Sequence, residues 1–172
     1  VADLAAQFGT PLYIVDEALV RQRAREYVDA FTATGLKFQV AYASKAFSVK
    51  AMCVLAEQEN LSLDVVSDGE LYTAIQAGFP AERIHFHGNN KTEEEINMAL
   101  EVGIGCFVVD NFIELHTLNE LAANKNKTVN VLLRITPGVE AHTHDYISTG
   151  QQDSKFGFDL GNGSAREAII QA

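Results

Sequence analysis

Short apolar runs alternate with helix-like stretches along most of the 172-residue chain. The apolar runs are typical of buried strands, and they lie at Phe38–Ala43, Leu63–Val66, Ile84–His87, Cys106–Val109 and Val129–Ile135. Helices are predicted near Asp16–Ala33, Val49–Glu59, Gly69–Ala77, Thr92–Val102 and Asn111–Ala123. This alternation predicts a parallel α/β fold. The pattern leaves open whether the strands form a doubly wound sheet or part of an eight-stranded barrel.

Polar side chains stand where the predicted strands end. Lys45 follows the first strand, Asp64 lies in the second, His87 ends the third and Arg134 lies in the fifth. The carboxyl ends of parallel strands meet at one edge of the sheet, and active sites of α/β proteins form there. We therefore expect these four side chains to converge together with the other polar residues at the strand ends.

Lys45 stands at the end of an apolar strand, in the stretch VAYASKAFS, which is an unusual position because lysine is rarely buried. A lysine at a strand end can simply pack its stem and extend its amine into water. Alternatively, the amine acts as a nucleophile. Strand alternation places Ala41 and Ala43 on the face that Lys45 shares, which leaves room there for a flat ligand.

Arg134 lies among apolar neighbours, and its guanidinium cannot lose its charge. It therefore needs an anionic or strongly accepting partner. Asp64 is the obvious candidate within the chain, and a ligand oxygen is the other. Asp110 and Asn111, which follow the fourth strand, are interpreted as caps of the next helix.

Two His-x-His pairs, at His85 and His87 and at His142 and His144, raise a second hypothesis. Such a pair at a barrel strand end could hold zinc for hydrolysis. The supporting carboxylates and further histidines are not placed at the other strand ends, and lone pairs have low specificity. We therefore predict no metal site.

A long segment without clear periodicity follows the fifth strand, from Pro137 to Gly163. Long loops in compact domains are commonly functional, although a plain surface loop is the alternative. The polar residues that it brings to the expected active-site end, and that we interpret as candidates for substrate binding, include His142, His144, Tyr146 and Lys155.

Composition narrows the choice of partners. The formal net charge of −10 argues against nucleic acid and anionic membranes, and no apolar run is long enough to span a bilayer. Cys53 and Cys106 form no metal or redox motif, and two buried thiols fit a reducing compartment, so a cytoplasmic location is expected. The chain begins without methionine and stops inside an apparent helix, so we expect a part of a longer protein.

Four long motifs spanning most of the chain resemble the fold-type III pyridoxal-phosphate decarboxylases. AYASKAF is similar to the cofactor-lysine segment of that family, and three later segments resemble its following strand ends. These are LDVVSDGEL, HGNNKTEEEI and LLRITPGVEAHTHDYISTGQQDSKFGF. Within the family, HGNNK and HTHDYISTG favour the diaminopimelate-specific branch.

The resemblance implies a fold and an assembly. It implies a partial (β/α)8 TIM barrel of the alanine racemase-like type with about five βα units, whose remainder lies outside the chain together with a β-rich domain. Because that remainder supplies further site residues in the family, the chain alone is expected to be catalytically inactive. Residues 1–15, with LYIV at Leu12–Val15, would belong to the β-rich domain, and residues 16–172 to the cofactor-binding barrel. A homodimer with active sites at the subunit interface is implied as well.

The resemblance also implies roles for the residues at the strand ends. Lys45 would carry pyridoxal 5'-phosphate covalently, with Asp64, His87 and Arg134 close to the cofactor and Arg134 near its phenolate oxygen. The implied reaction is decarboxylation of a small amino acid, meso-diaminopimelate, to L-lysine. An ornithine-type decarboxylase, a racemase and a pyridoxal-phosphate binder without activity are the alternatives.

Overall fold

The computed structural model describes residues 1–138 and 156–172, which divide into two compact units, Val1–Val40 and Ala41–Ala172. None of the helices formed by these described residues combines the length and apolar character that crossing a membrane requires.

The first unit contains two helices, α1 (Ala2–Phe8) and α2 (Glu17–Thr32). The predicted cap of α2 is confirmed, because the Asp16 carboxylate accepts a hydrogen bond from the backbone N–H of Leu19 (3.1 Å). Helix α1 was not predicted. It has no side-chain cap and buries no residue, so neither signal marks it in the sequence.

The second unit is built on a parallel sheet of five strands. They are β1 (Ala41–Ala43), β2 (Ser62–Val65), β3 (Ile84–Phe86), β4 (Cys106–Val109) and β5 (Val131–Leu133). Each strand pairs with the next one in the sequence, so their order in the sheet is sequential. A doubly wound sheet reverses its strand order at a switch point, whereas a barrel wall keeps it. The sequential order therefore favours the barrel.

The predicted fifth strand is interrupted at Arg134. Beyond it, β6 (Ile135–Thr136) pairs in parallel with β7 (Phe158–Asp159) as a separate small sheet. The backbone N–H of Arg134 still donates to the carbonyl of Val109 (2.9 Å), so this residue stays attached to the end of β4.

Helices follow the strands close to the predicted positions. They are α3 (Lys50–Gln58), α4 (Asp68–Gln76), α5 (Glu93–Val102), α6 (Phe112–Asn124) and α7 (Ser164–Gln171). Side chains of Ser67, Thr92 and Asn111 cap α4, α5 and α6, each by accepting a backbone N–H. These caps fix where each helix leaves the carboxyl edge of the sheet.

The core lies between the strands and these helices. Leu63, Val65, Ile84, Phe86 and Val109 are completely buried on the strands, and burial of each such side chain contributes about 1.5–3 kcal/mol. Strand β4 is buried along its whole length, as expected for a parallel strand covered on both faces. The polar residues at the strand ends are therefore attached to well-packed, buried strands.

Candidate active site

A cleft of ≈ 640 Å³ opens at the carboxyl ends of the strands. Lys45, Asp64, His87 and Arg134 all line it, so the expected convergence of these four side chains is observed. A second cleft, of ≈ 580 Å³, lies beside α6, β5 and α7, and none of the aspartate or glutamate side chains of the described residues lines it. The cleft at the strand ends is therefore the candidate active site.

Lys45 is carried by a 3-10 helical turn, Ser44–Ala46, directly after β1. Ala43 and Lys45 both line the cleft, and Lys45 is exposed and makes no hydrogen bond or ion pair with another described side chain. Its amine is therefore available to a ligand.

The turn that carries Lys45 is fastened by two residues that the sequence did not single out. The buried Ser44 hydroxyl lies 2.6 Å from the carbonyl of Asp64 and 2.8 Å from a carboxylate oxygen of Glu70. The same Glu70 oxygen accepts the backbone N–H of Val66 (2.8 Å). Glu70 lies in the first turn of α4, where an acidic residue is ordinary, so this second role has no sequence signal.

Asp64 lies between two histidines. The register of the sheet pairs Asp64 with His85, and its carboxylate oxygens lie 3.2 Å from Nδ1 of His85 and 3.4 Å from Nε2 of His87. Burial by itself raises the pKa of the Asp64 carboxyl, but the hydrogen bonds to His85 and His87 outweigh burial and lower this pKa to about 2. Asp64 is therefore a fixed carboxylate at neutral pH.

The low pKa of Asp64 predicts a pH-dependent contribution to stability. A carboxyl whose folded-state pKa is lowered stabilises the fold above its ordinary pKa of about 4, and that contribution is lost as the pH falls towards about 2. We expect Asp64→Asn to be less stable than the wild type at neutral pH, and the difference to shrink between about pH 4 and about pH 2. Urea unfolding across this range measures it, with the exposed Asp68→Asn as matched control. A constant difference would contradict the assignment.

The expected partner of Arg134 was wrong. Nη1 of Arg134 lies 3.1 Å from Oδ1 of Asp110, whose side chain is only 3% exposed, whereas Asp64 binds the histidines. The interpretation of Asp110 as a cap was also wrong, because Asn111 alone caps α6, accepting the N–H of Glu114 (2.9 Å). The cause is strand order: Asp110 follows β4, the neighbour of β5, while β2 lies two strands farther away.

A second buried ion pair lies behind the cleft and was not predicted. Nζ of Lys91 donates to Glu114 (2.7 Å) and to the carbonyls of Gly88 and Val108 (both 2.8 Å). The other carboxylate oxygen of Glu114 accepts the backbone N–H of Asp110 (3.1 Å). This pair therefore joins α6 to the ends of β3 and β4. Gly88 and Val108, whose carbonyls bind Lys91, both line the cleft.

Four predicted residues, His142, His144, Tyr146 and Lys155, lie outside the described residues. Within residues 1–138 and 156–172, no group of three or more histidine, cysteine or acidic side chains is arranged to hold a metal ion. His85 and His87 instead share Asp64 as a hydrogen-bond partner.

Comparison with known proteins identifies the family. Residues 17–172 match the model of the pyridoxal binding domain of pyridoxal-dependent decarboxylases. The chain belongs to the pyridoxal-dependent decarboxylase family. The partial α/β barrel is accordingly that of the fold-type III enzymes.

Relatives within the family are similar over almost the whole chain. The diaminopimelate decarboxylase of Bacillus subtilis is 67% identical over 168 residues, which cover 98% of this chain and 38% of that protein. The crystal structure of diaminopimelate decarboxylase from M. jannaschii in complex with L-lysine has a TM-score of 0.89 at 42% identity, covering 99% of this chain and 40% of that one. The lysine/ornithine decarboxylase of Vibrio vulnificus with putrescine has a TM-score of 0.72 at 26% identity, covering 99% and 39%. The chain thus spans about two fifths of the length of these relatives.

The cleft fits the cofactor of this family. Its volume falls within the range of about 300–1,000 Å³ that is usual for small-molecule sites, and Ala43 adds little bulk beside Lys45. The guanidinium of Arg134 offers donors to an anionic oxygen, and the amine of Lys45, which lines the cleft, is of the kind that reacts with an aldehyde.

Proposed function

We propose that the protein containing this chain decarboxylates meso-diaminopimelate to L-lysine and CO2 with pyridoxal 5'-phosphate as cofactor. One observation carries the proposal: Lys45, Asp64, His87 and Arg134 line a single cleft at the strand ends. The similarity to diaminopimelate decarboxylases over 98% of the chain supports the choice of substrate.

The proposed roles follow from the chemistry of each side chain. Lys45 would hold the cofactor covalently, since a lysine amine that lines the cleft can add to an aldehyde. Arg134 would bind an anionic oxygen of the cofactor, and Asp64, held by His85 and His87, supplies a constant negative charge in the cleft. When bound, the cofactor acts as the electron sink for the bond that loses CO2.

The remaining task of these residues is to orient the substrate. Holding it so that the correct carboxylate leaves as CO2 lowers the barrier of the reaction. We propose that His142, His144, Tyr146 and Lys155 contribute to this choice of substrate, because in the sequence they lie between β6, which follows Arg134 directly, and β7.

Borohydride reduction of the full-length protein with pyridoxal phosphate, followed by peptide mass mapping, tests the proposal. Borohydride reduces the carbon–nitrogen double bond that would link a lysine to the cofactor to a stable single bond, so the labelled lysine can be identified. The chain contains seven lysines, so selectivity decides the result. We expect labelling at Lys45 alone. Even labelling of surface lysines, or none, would remove the proposed role of Lys45, and turnover of ornithine in place of diaminopimelate would favour an ornithine-type decarboxylase.

We further propose that residues 1–15 belong to a β-rich domain and residues 16–172 to the barrel, as the resemblance implies. A homodimer is proposed on the same basis, and a cytoplasmic location is proposed because the two buried thiols, Cys53 and Cys106, fit a reducing compartment. Sedimentation of the full-length protein, with and without cofactor, tests the dimer.

A further inference from the structure

The carboxylate of Asp110 joins two separate segments at the cleft. Oδ1 accepts a hydrogen bond from Nη1 of Arg134 (3.1 Å), and Oδ2 accepts the backbone N–H of Gly157 (2.9 Å). The side chain is only 3% exposed, so both of its oxygens depend on these partners rather than on water. Neither bond can be given up without leaving a buried acceptor unpaired.

Arg134 is held at further points by the residues beside Gly157. Its guanidinium lies 4.3 Å from the centre of the Phe156 ring, and its carbonyl accepts the backbone N–H of Phe158 (2.7 Å). With Asp110 on one side and Phe156 on the other, the plane of the guanidinium is fixed.

Gly157 permits the close approach that this arrangement needs. Its φ is +75°, and a Cβ built there would lie 2.7 Å from the carbonyl oxygen of Arg134. Any other residue would push the backbone of this segment away from Arg134. Both residues that Asp110 binds, Arg134 and Gly157, are therefore closely packed.

The guanidinium keeps donors for a ligand. It has five N–H groups in a planar fork, and Asp110 is the one side chain among the described residues that accepts from it. Arg134 is 32% exposed and lines the cleft. Asp110 balances the charge of Arg134. An anionic ligand would therefore be bound mainly through the fixed direction of the remaining N–H donors rather than through net positive charge.

We propose that Asp110 is a positioning residue of the active site, whose carboxylate holds Arg134 and the Phe156–Gly157 segment together so that the guanidinium presents its remaining donors to an anionic oxygen in the cleft. This inference rests on the proposed function, because the oxygen would belong to the cofactor or substrate. Asp110 itself does not line the cleft and acts through Arg134.

The test is a double-mutant cycle in the full-length protein, with the dissociation constant for pyridoxal phosphate as readout. Asp110→Asn keeps the shape, but its amide turns a donor towards either Arg134 or Gly157. We expect it to weaken cofactor binding by about 10–100-fold, as is usual for the loss of an outer partner of a binding group. In an Arg134→Met background the same change should add no more than about twofold. Asp68→Asn is the matched control and should bind like the wild type.

Either of two results would overturn the proposal: an equal weakening with and without Arg134, or no weakening by Asp110→Asn. A loss that is merely structural would be independent of Arg134 and would therefore be recognised. If Asp110→Asn does not fold, Asp110→Glu replaces it in the cycle, because it keeps the charge but displaces the carboxylate by one methylene. If the wild type itself does not bind the cofactor at Lys45, the proposed function fails, whatever the variants do.

Discussion

Replacing Lys45 with alanine in the full-length protein is expected, from the proposed function, to reduce CO2 release from diaminopimelate by about 10²–10⁴-fold, the scale of losing one positioned catalytic side chain, because the variant lacks the amine that would hold the cofactor. The reason is the setting of the amine. Lys45 lines the cleft, and no other lysine of the described residues lines it, so none of their amines can take its place. The variant should fold normally, because an exposed side chain that has no partner among residues 1–138 and 156–172 contributes little to stability.

A neighbouring lysine provides the control. Lys50 begins α3, five residues farther along, and is also exposed, so Lys50→Ala removes an equal charge without touching the cleft. Its turnover should match that of the wild type. Addition of methylamine to Lys45→Ala should restore part of the activity, because the small amine can occupy the space that the side chain leaves. If Lys45→Ala retained most of its activity, Lys45 would not be the catalytic amine.

The positions of the cleft residues could be predicted because topology alone brings strand ends together. Alternating strands and helices imply a parallel sheet, and a parallel sheet collects the residues at its carboxyl edge. Lys45, Asp64, His87 and Arg134 are far apart in sequence, yet that one inference placed them in the same cleft. The sequential order of the strands, which separates a barrel wall from a doubly wound sheet, needed the structure.

The partners of these residues could not be predicted, because partnership depends on which strands are neighbours. Asp64 and Asp110 both stand at strand ends, and the sequence pattern does not reveal which of their strands adjoins the strand of Arg134, so the expectation of Asp64 as its partner was wrong. Sheet order decides: β4 adjoins β5, so Asp110 reaches Arg134, while Asp64 adjoins His85 on β3. The link between Gly157 and Asp110 spans 47 residues and has no local signature at all.

The buried pair of Lys91 and Glu114 could not be predicted from the sequence either. The two residues are 23 positions apart, and Glu114 reads as an ordinary acidic residue in the first turn of α6. Their side chains are only 1% and 4% exposed. Burial lowers the pKa of Lys91 and raises the pKa of Glu114, in each case against the attraction of the partner's charge. Each charge is therefore costly to bury and depends on the other.

This dependence predicts the largest loss of stability. Lys91→Met is expected to lower the free energy of unfolding by about 3–5 kcal/mol, because it leaves the Glu114 carboxylate buried without its partner. The matched control is Lys125→Met, which breaks the exposed pair of Lys125 and Glu101 (3.1 Å) and should cost no more than about 1 kcal/mol. Urea unfolding of the full-length protein measures both variants. Equal costs would show that the buried pair has no special role.

Two further measurements separate the charge from the hydrogen bonds. In Lys91→Met, the pKa of Glu114 rises further, and a raised pKa gives stability at low pH that is lost as the pH increases. The deficit should therefore be smaller near about pH 5 than near about pH 8. Adding Glu114→Gln removes the buried charge and should recover part of the loss, yet the carbonyls of Gly88 and Val108 still lack the donor that Lys91 supplied. If the double variant recovered the full free energy of unfolding, those two hydrogen bonds would contribute nothing to the stability of the fold.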